Sequence, residues 1–174
     1  MGYGVKELIY AEPFANALVD DPTFRSWALS RTMFSAFSDA RLMHQEMQNK
    51  RSARYWWRSH FTEACRCEGC SGQETDLLAI FEATTGFRFA VHIEVKHPGD
   101  NFKHGGRQAA SYNVRAQCWA AKAPQKVVRH DMAASALLCS EIKLAEYAKH
   151  VAHFGTVFTF EEIKRKFPDA VPRP

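Results

Sequence analysis

The chain of 174 residues reads as a single α/β domain with a central mixed β-sheet flanked by helices, in the order α-β-β-β-α-β-α. Three observations predict this. The run Phe89-Ala-Val-His-Ile-Glu94-Val95 is mostly apolar and β-branched, and Leu77-Leu-Ala-Ile-Phe81 precedes it across Thr84-Thr85-Gly86, the pattern of a buried hairpin. Apolar residues recur at three- and four-residue steps from Phe24 to Met47, and Gln108 to Trp119 reads as a second helical stretch. Ser135-Ala-Leu-Leu-Cys139 follows that helix and supplies the fourth strand.

Size and composition suit one core, with 46% apolar and 13% aromatic residues. Residues 1–53 hold the N-terminal helices, 54–140 the core with the candidate site, and 141–174 the C-terminal helices. A net charge of +4 and a pI near 8.8 permit attraction to a polyanion without the dense basic footprint that argues nucleic acid alone. No apolar run approaches the roughly 20 residues of a membrane span, and Met1-Gly-Tyr-Gly-Val-Lys-Glu7 lacks the regions of a signal peptide. A cytoplasmic protein without a membrane partner is expected. Five unevenly spaced cysteines agree with a reducing compartment.

In chain order, Pro13, Pro22 and the Asp20-Asp21 pair predict a short helix and a turn over residues 1–22. The stripe Phe24, Trp27, Leu29, Met33, Phe34, Phe37, Leu42, Met43, Met47 predicts one long or two consecutive amphipathic helices ending near Asn49-Lys50, with Ser38-Asp39 as an interruption or cap. Tyr55 to Phe61 is aromatic-rich and reads as the first strand. Arg54 and Arg58 around Trp56 and Trp57 also have the makings of a stacking and phosphate-contacting surface. Next comes Cys65-Arg-Cys67-Glu-Gly-Cys70. With His60 these thiols are four candidate zinc ligands, although the tight spacing equally suits a turn with free thiols.

The second and third strands span Glu74–Ala83 and Phe87–Lys96. Counted symmetrically about Thr85, Asp76 lies opposite Glu94, and facing residues of an antiparallel pair have Cβ atoms about 4.5–5.5 Å apart. Two carboxylates at that spacing repel, and a divalent cation relieves the repulsion. Lys96 shares a face with Glu94 because a strand alternates with period two. The loop after Lys96 contains Pro98, Lys103, His104 and Arg107, a candidate cationic rim for phosphates. Gln108 and Tyr112 form an i,i+4 pair on the following helix, with Arg115 near the same face. Glu141 to Val151 reads as a helix, Thr156–Phe160 as a further apolar segment, and Glu161–Phe167 as a last helix begun by Thr159.

Asp76, then Glu94-x-Lys96, then Gln108-x-x-x-Tyr112 resembles the PD-(D/E)XK nuclease superfamily in its Gln-x-x-x-Tyr variant, over roughly residues 55–140. Thr75 stands where the family name calls for proline. The resemblance implies a restriction-endonuclease-like fold and Mg²⁺-dependent (or Mn²⁺-dependent) hydrolysis of DNA phosphodiesters, with endo- and exonucleolytic action both open and a homodimer in prospect. Asp76, Glu94 and the backbone carbonyl of Val95 would hold the metal, with Glu46 as a further ligand from a preceding helix. Lys96 and Gln108 would act beside it. Lys103, His104, Arg107, Tyr112 and Arg115 would face nucleic acid. The alternative is a catalytically silent nuclease-fold protein that binds nucleic acid or regulates, with zinc at Cys65, Cys67 and Cys70 as a stabiliser.

Overall fold

The computed structural model describes residues 4–58, 60, 61, 74–102 and 106–174. Helix α1 (Val5–Asp20) buries Ala11, Phe14, Ala15 and Leu18 along one stripe. That burial carries the helix through Pro13, which removes one backbone bond from it. The short helix expected over residues 1–22 is thus a 16-residue one. Asp21 starts α2 (Pro22–Ser30), accepting the N–H groups of Thr23 at 2.9 Å and Phe24 at 3.0 Å. The expected helical stripe then breaks into a 3-10 turn at Ser35–Phe37, a two-residue strand β1 (Arg41–Leu42) and helix α3 (His44–Arg51).

The expected first strand over Tyr55–Phe61 is also corrected. Among the described residues of that run only His60–Phe61 (β2) forms a strand, and it pairs with β3 (Glu74–Thr75) in a ribbon separate from the main sheet. The reason lies in Arg51. Its guanidinium donates to the carbonyls of Tyr55 at 2.9 Å, Trp56 at 3.4 Å and Arg58 at 2.6 Å, satisfying backbone groups that a neighbouring strand would otherwise take. Trp56 and Trp57 are buried in the core, which removes them from the stacking surface considered for them.

Among the described residues the main sheet has the strand order β1-β4-β5-β6-β7, with β4 Leu77–Glu82, β5 Arg88–Val95, β6 Met132–Cys139 and β7 Thr156–Thr159. The pairings β1–β4 and β4–β5 are antiparallel, β5–β6 and β6–β7 parallel. The sheet is therefore mixed. The three central strands are almost wholly buried along their length, as a sheet covered on both faces requires. Ala79, Phe81, Val91, Ile93 and Phe158 face α1 and α2. On the other face, α4 (Arg107–Ala121) packs on β5 and β6, with Trp119 against His92 at a ring distance of 5.3 Å.

The β4–β5 ladder keeps the register anticipated about Thr85, from Glu82↔Arg88 to Leu77↔Ile93. Gly86, at φ +85°, closes the turn in a conformation that glycine adopts without strain. The helix expected over Glu141–Val151 is divided into a 3-10 turn at Glu141–Lys143 and a single turn α5 (Ala148–Val151). Thr159 caps α6 (Phe160–Lys166), accepting the Glu162 N–H at 3.3 Å. Among the described residues no helix is long and apolar enough to cross a membrane.

Candidate active site

Asp76 lies at a bend between β3 and β4, one step beyond the last ladder pair. The strand is interrupted there because the Asp76 side chain turns onto its neighbour's backbone: Oδ2 accepts the Val95 N–H at 2.8 Å. The bend is held from a second side by Tyr112, whose hydroxyl accepts the Asp76 N–H at 3.1 Å and donates to the Glu74 carbonyl at 3.3 Å. Hairpin register and helix α4 thus fix one aspartate together.

Glu94 is 1% exposed and Lys96 2%. Lys96 Nζ lies 2.7 Å from Glu94 Oε1, 3.3 Å from the Gln108 side-chain oxygen and 3.4 Å from Asp100 Oδ2, and 4.9 Å from the centre of the Phe102 ring. Glu94 Oε1 is held by the Lys96 ammonium as a close ion pair, while Oε2 is buried with no hydrogen-bond partner among the described residues. Unsatisfied buried carboxylate oxygens are costly and rare.

The electrostatics follow from this crowding. Burial and the adjacent Glu94 push the Asp76 carboxyl well above the ordinary carboxylate range, against the opposing pull of the Val95 N–H. Burial disfavours the Lys96 ammonium, but Glu94, Asp100 and Asp76 outweigh it and hold its pKa above the ordinary lysine value. For Asp100 burial is likewise outweighed, here by Lys96 and the Asn101 N–H, leaving its carboxyl below the ordinary range. Burial, then the charges of Asp76 and Glu94, raise the Tyr112 hydroxyl well above its ordinary value.

Asp76, Glu94, Lys96, Gln108 and Tyr112 are therefore brought into one group, although Tyr112 faces inward. Tyr112 is fully buried and spends its hydroxyl on the Glu74–Asp76 backbone. Arg115 is also fully buried: Nε donates to Thr75 Oγ1 at 2.8 Å and a second nitrogen to the Glu74 carbonyl at 3.0 Å. Neither presents a group to a nucleic acid, which corrects the contact role given to both. Glu46 is not at the site. It pairs with Arg41 at 2.5 Å, and Arg41 bridges to Glu82 at the far end of β4, about 20 Å along the strand from Asp76. Arg107 is exposed at the start of α4. Lys103, His104, Cys65, Cys67, Cys70 and the side chain of His60 lie outside the described residues.

Two groups at the site, Asp100 and Glu7, escaped the sequence reading, and a third, Arg58, named there as a phosphate contact beside the tryptophans, joins them. Asp100, four residues after Lys96, is its second carboxylate partner. Glu7 of α1 and Arg58 line a cleft of about 50 Å³ with Gly4, Trp57, Glu74 and Asp76, and the charge of Glu7 adds to the upward push on Asp76. Glu7 stands four residues before Ala11 on the buried stripe of α1. A carboxylate continuing an apolar stripe was the available signal. Among the described residues no three or more His, Cys, Asp or Glu side chains gather as a metal-binding group. Family models, curated proteins and solved structures were all compared with the chain, and none matches.

Proposed function

We propose that this chain is a metal-dependent nuclease of restriction-endonuclease-like fold that hydrolyses DNA phosphodiester bonds. The observation that carries this reading is the group Asp76, Glu94 and Lys96, in which Glu94 and Lys96 are a buried ion pair and Glu94 Oε2 has no hydrogen-bond partner among the described residues. Two adjacent carboxylates offering oxygen ligands alone fit a hard divalent cation such as Mg²⁺ or Mn²⁺. Asp76 and Glu94 would hold it, with the Val95 carbonyl as the third oxygen that the family resemblance implies. When bound, such an ion supplies Lewis-acid polarisation of the phosphate and a water of lowered pKa.

The chain's own residues supply the rest. Lys96, set among Glu94, Asp100 and Asp76, is held as an ammonium in the metal-free site, and in this reading it acts as a donor. Its charge stabilises the negative charge that develops on the phosphate oxygens as the attacking oxygen adds. Gln108 and Asp100 fix the ammonium in place. Tyr112 fixes Asp76 through its backbone. One observation favours a second reading, the silent nucleic-acid-binding protein: a cleft of about 50 Å³ beside Asp76 is far smaller than the ~300 Å³ at which ligand pockets begin.

The test is hydrolysis of labelled single- and double-stranded DNA, linear and circular, with Mg²⁺ or Mn²⁺, by wild type, Asp76→Ala and Lys96→Ala. Metal-dependent cutting lost in both variants is expected, and the circular substrate separates endo- from exonucleolytic action. DNA bound without any cutting would select the silent reading.

A further inference from the structure

Arg58 stands on an unusually well-anchored stretch of irregular chain. Arg51 ties its carbonyl at 2.6 Å along with those of Tyr55 and Trp56. The neighbouring Trp57 is buried at 2% exposure, and its carbonyl accepts the Leu78 N–H at 2.9 Å. A side chain on such a platform is held in place before any ligand arrives. Arg58 itself is half-buried and lines the cleft that also contains Glu7, Glu74 and Asp76.

Its hydrogen bond inside that cleft goes to a neutral acceptor, the Gly4 carbonyl, at 2.9 Å. The same carbonyl already accepts the Leu8 N–H at 3.0 Å as the first helical bond of α1, so it keeps a partner if the guanidinium leaves. Gly4 sits at φ +93°, and a Cβ there would lie 2.5 Å from the Arg58 guanidinium. Glycine is what lets the arginine reach this carbonyl. A charged fork whose hydrogen bond among the described residues goes to one neutral oxygen gains by exchanging it for an anionic oxygen, because hydrogen bonds between ionised groups are about twice as strong.

Resting on the nuclease reading above, we propose that Arg58 is a substrate-positioning residue: its guanidinium leaves the Gly4 carbonyl and takes a non-bridging oxygen of the substrate's phosphodiester backbone, seating the strand beside Asp76. Arginine suits this role because its planar fork matches the phosphate oxygens.

The test uses the full chain with Arg58→Gln and Arg58→Lys. Gln keeps a donor for Gly4 but no charge; Lys keeps the charge. Binding of a short labelled single strand, with Ca²⁺ in place of Mg²⁺, is followed over a salt series, and cleavage kinetics are measured with Mg²⁺. Arg58→Gln should weaken binding about tenfold and flatten the log–log salt dependence by ~0.7, the loss of one single-strand phosphate contact. It should raise KM about tenfold with kcat within about twofold, while Arg58→Lys recovers the salt slope. A wild-type KM and salt slope in Arg58→Gln would overturn the proposal, leaving Arg58 a tie for α1, with the nuclease reading untouched. A wild-type protein that neither cuts nor binds DNA would instead sink the nuclease reading, and this role with it.

Discussion

The Tyr112 hydroxyl accepts the backbone N–H of Asp76 at 3.1 Å, so a helix residue holds the bend that presents a strand carboxylate. Gln108, one turn earlier on the same helix, holds Lys96 at 3.3 Å. An i,i+4 pair on α4 thereby grips the carboxylate and the ammonium of the candidate site separately. Tyr112→Phe removes the only oxygen of that ring and leaves the Asp76 N–H without it. A stability loss of about 1–3 kcal/mol is expected in denaturant melts, with kcat lowered and metal still bound.

Lys96 is the cation of a buried pair, and removing it strands Glu94. Lys96→Met should lower stability by about 3–5 kcal/mol in the presence of a chelator, and Mg²⁺ or Mn²⁺ should restore part of that in thermal melts. Cleavage should fall at least ~10²-fold even where the variant is folded and metal-loaded. Full activity in that state would assign the developing charge to another group.

Asp76→Asn removes one of two crowded carboxylates while keeping the shape and an acceptor for the Val95 N–H. Because burial and Glu94 both disfavour the Asp76 charge, the variant should melt higher than wild type without divalent metal and lose the stabilisation that added Mn²⁺ gives. Equal responses to Mn²⁺ in the two proteins would place the cation elsewhere.

His130 tests the pH dependence. It is buried, with Nδ1 at 2.9 Å from the Val128 carbonyl, and burial lowers its pKa against the smaller upward pulls of that carbonyl and Asp131. The unfolded chain then binds a proton more readily than the folded one. Stability contributed by neutral His130 is present above the unfolded histidine value near 6.5 and is lost as pH falls from there through the folded pKa. Denaturation midpoints recorded across this window should decline towards acid in wild type and decline less in His130→Gln.

Arg115 separates a core role from a surface one. Its guanidinium is fully buried, bonded to Thr75 and Glu74, and 4.4 Å from the centre of the Tyr112 ring. Arg115→Gln should cost about 1–3 kcal/mol of stability and leave the salt slope of DNA binding at the wild-type value, the opposite of Arg58→Gln. A flattened slope would show that the side chain reaches solvent.

What could be read from the sequence was local. The hairpin register about Thr85, the strand at Ser135–Cys139 and the Thr159 cap each depend on residues near in the chain, and each is present. Gathering Asp76, Glu94, Lys96 and Gln108 followed from that register and one helix. The failures were tertiary. Helical spacing gives Glu46 a face but says nothing about which end of the sheet it meets, and Arg41 claimed it. The aromatic run at Tyr55 has strand propensity, and its failure was instead local: Arg51, four residues earlier, took its carbonyls. Arg115 was read as a surface cation because a buried arginine becomes visible only once its acceptors are in place.

The two acids owe their closeness to a ladder, and a ladder moves only in whole steps. Slipping β4 by one residue against β5 would send Asp76 to the opposite face, since side chains alternate with period two. Gradual adjustment of their separation is therefore closed to mutation. Fine tuning of this centre has to come from α4, where Gln108 and Tyr112 can shift continuously with the packing beneath them, so variants with altered metal preference should be sought in that helix and its contacts, with the strands left alone.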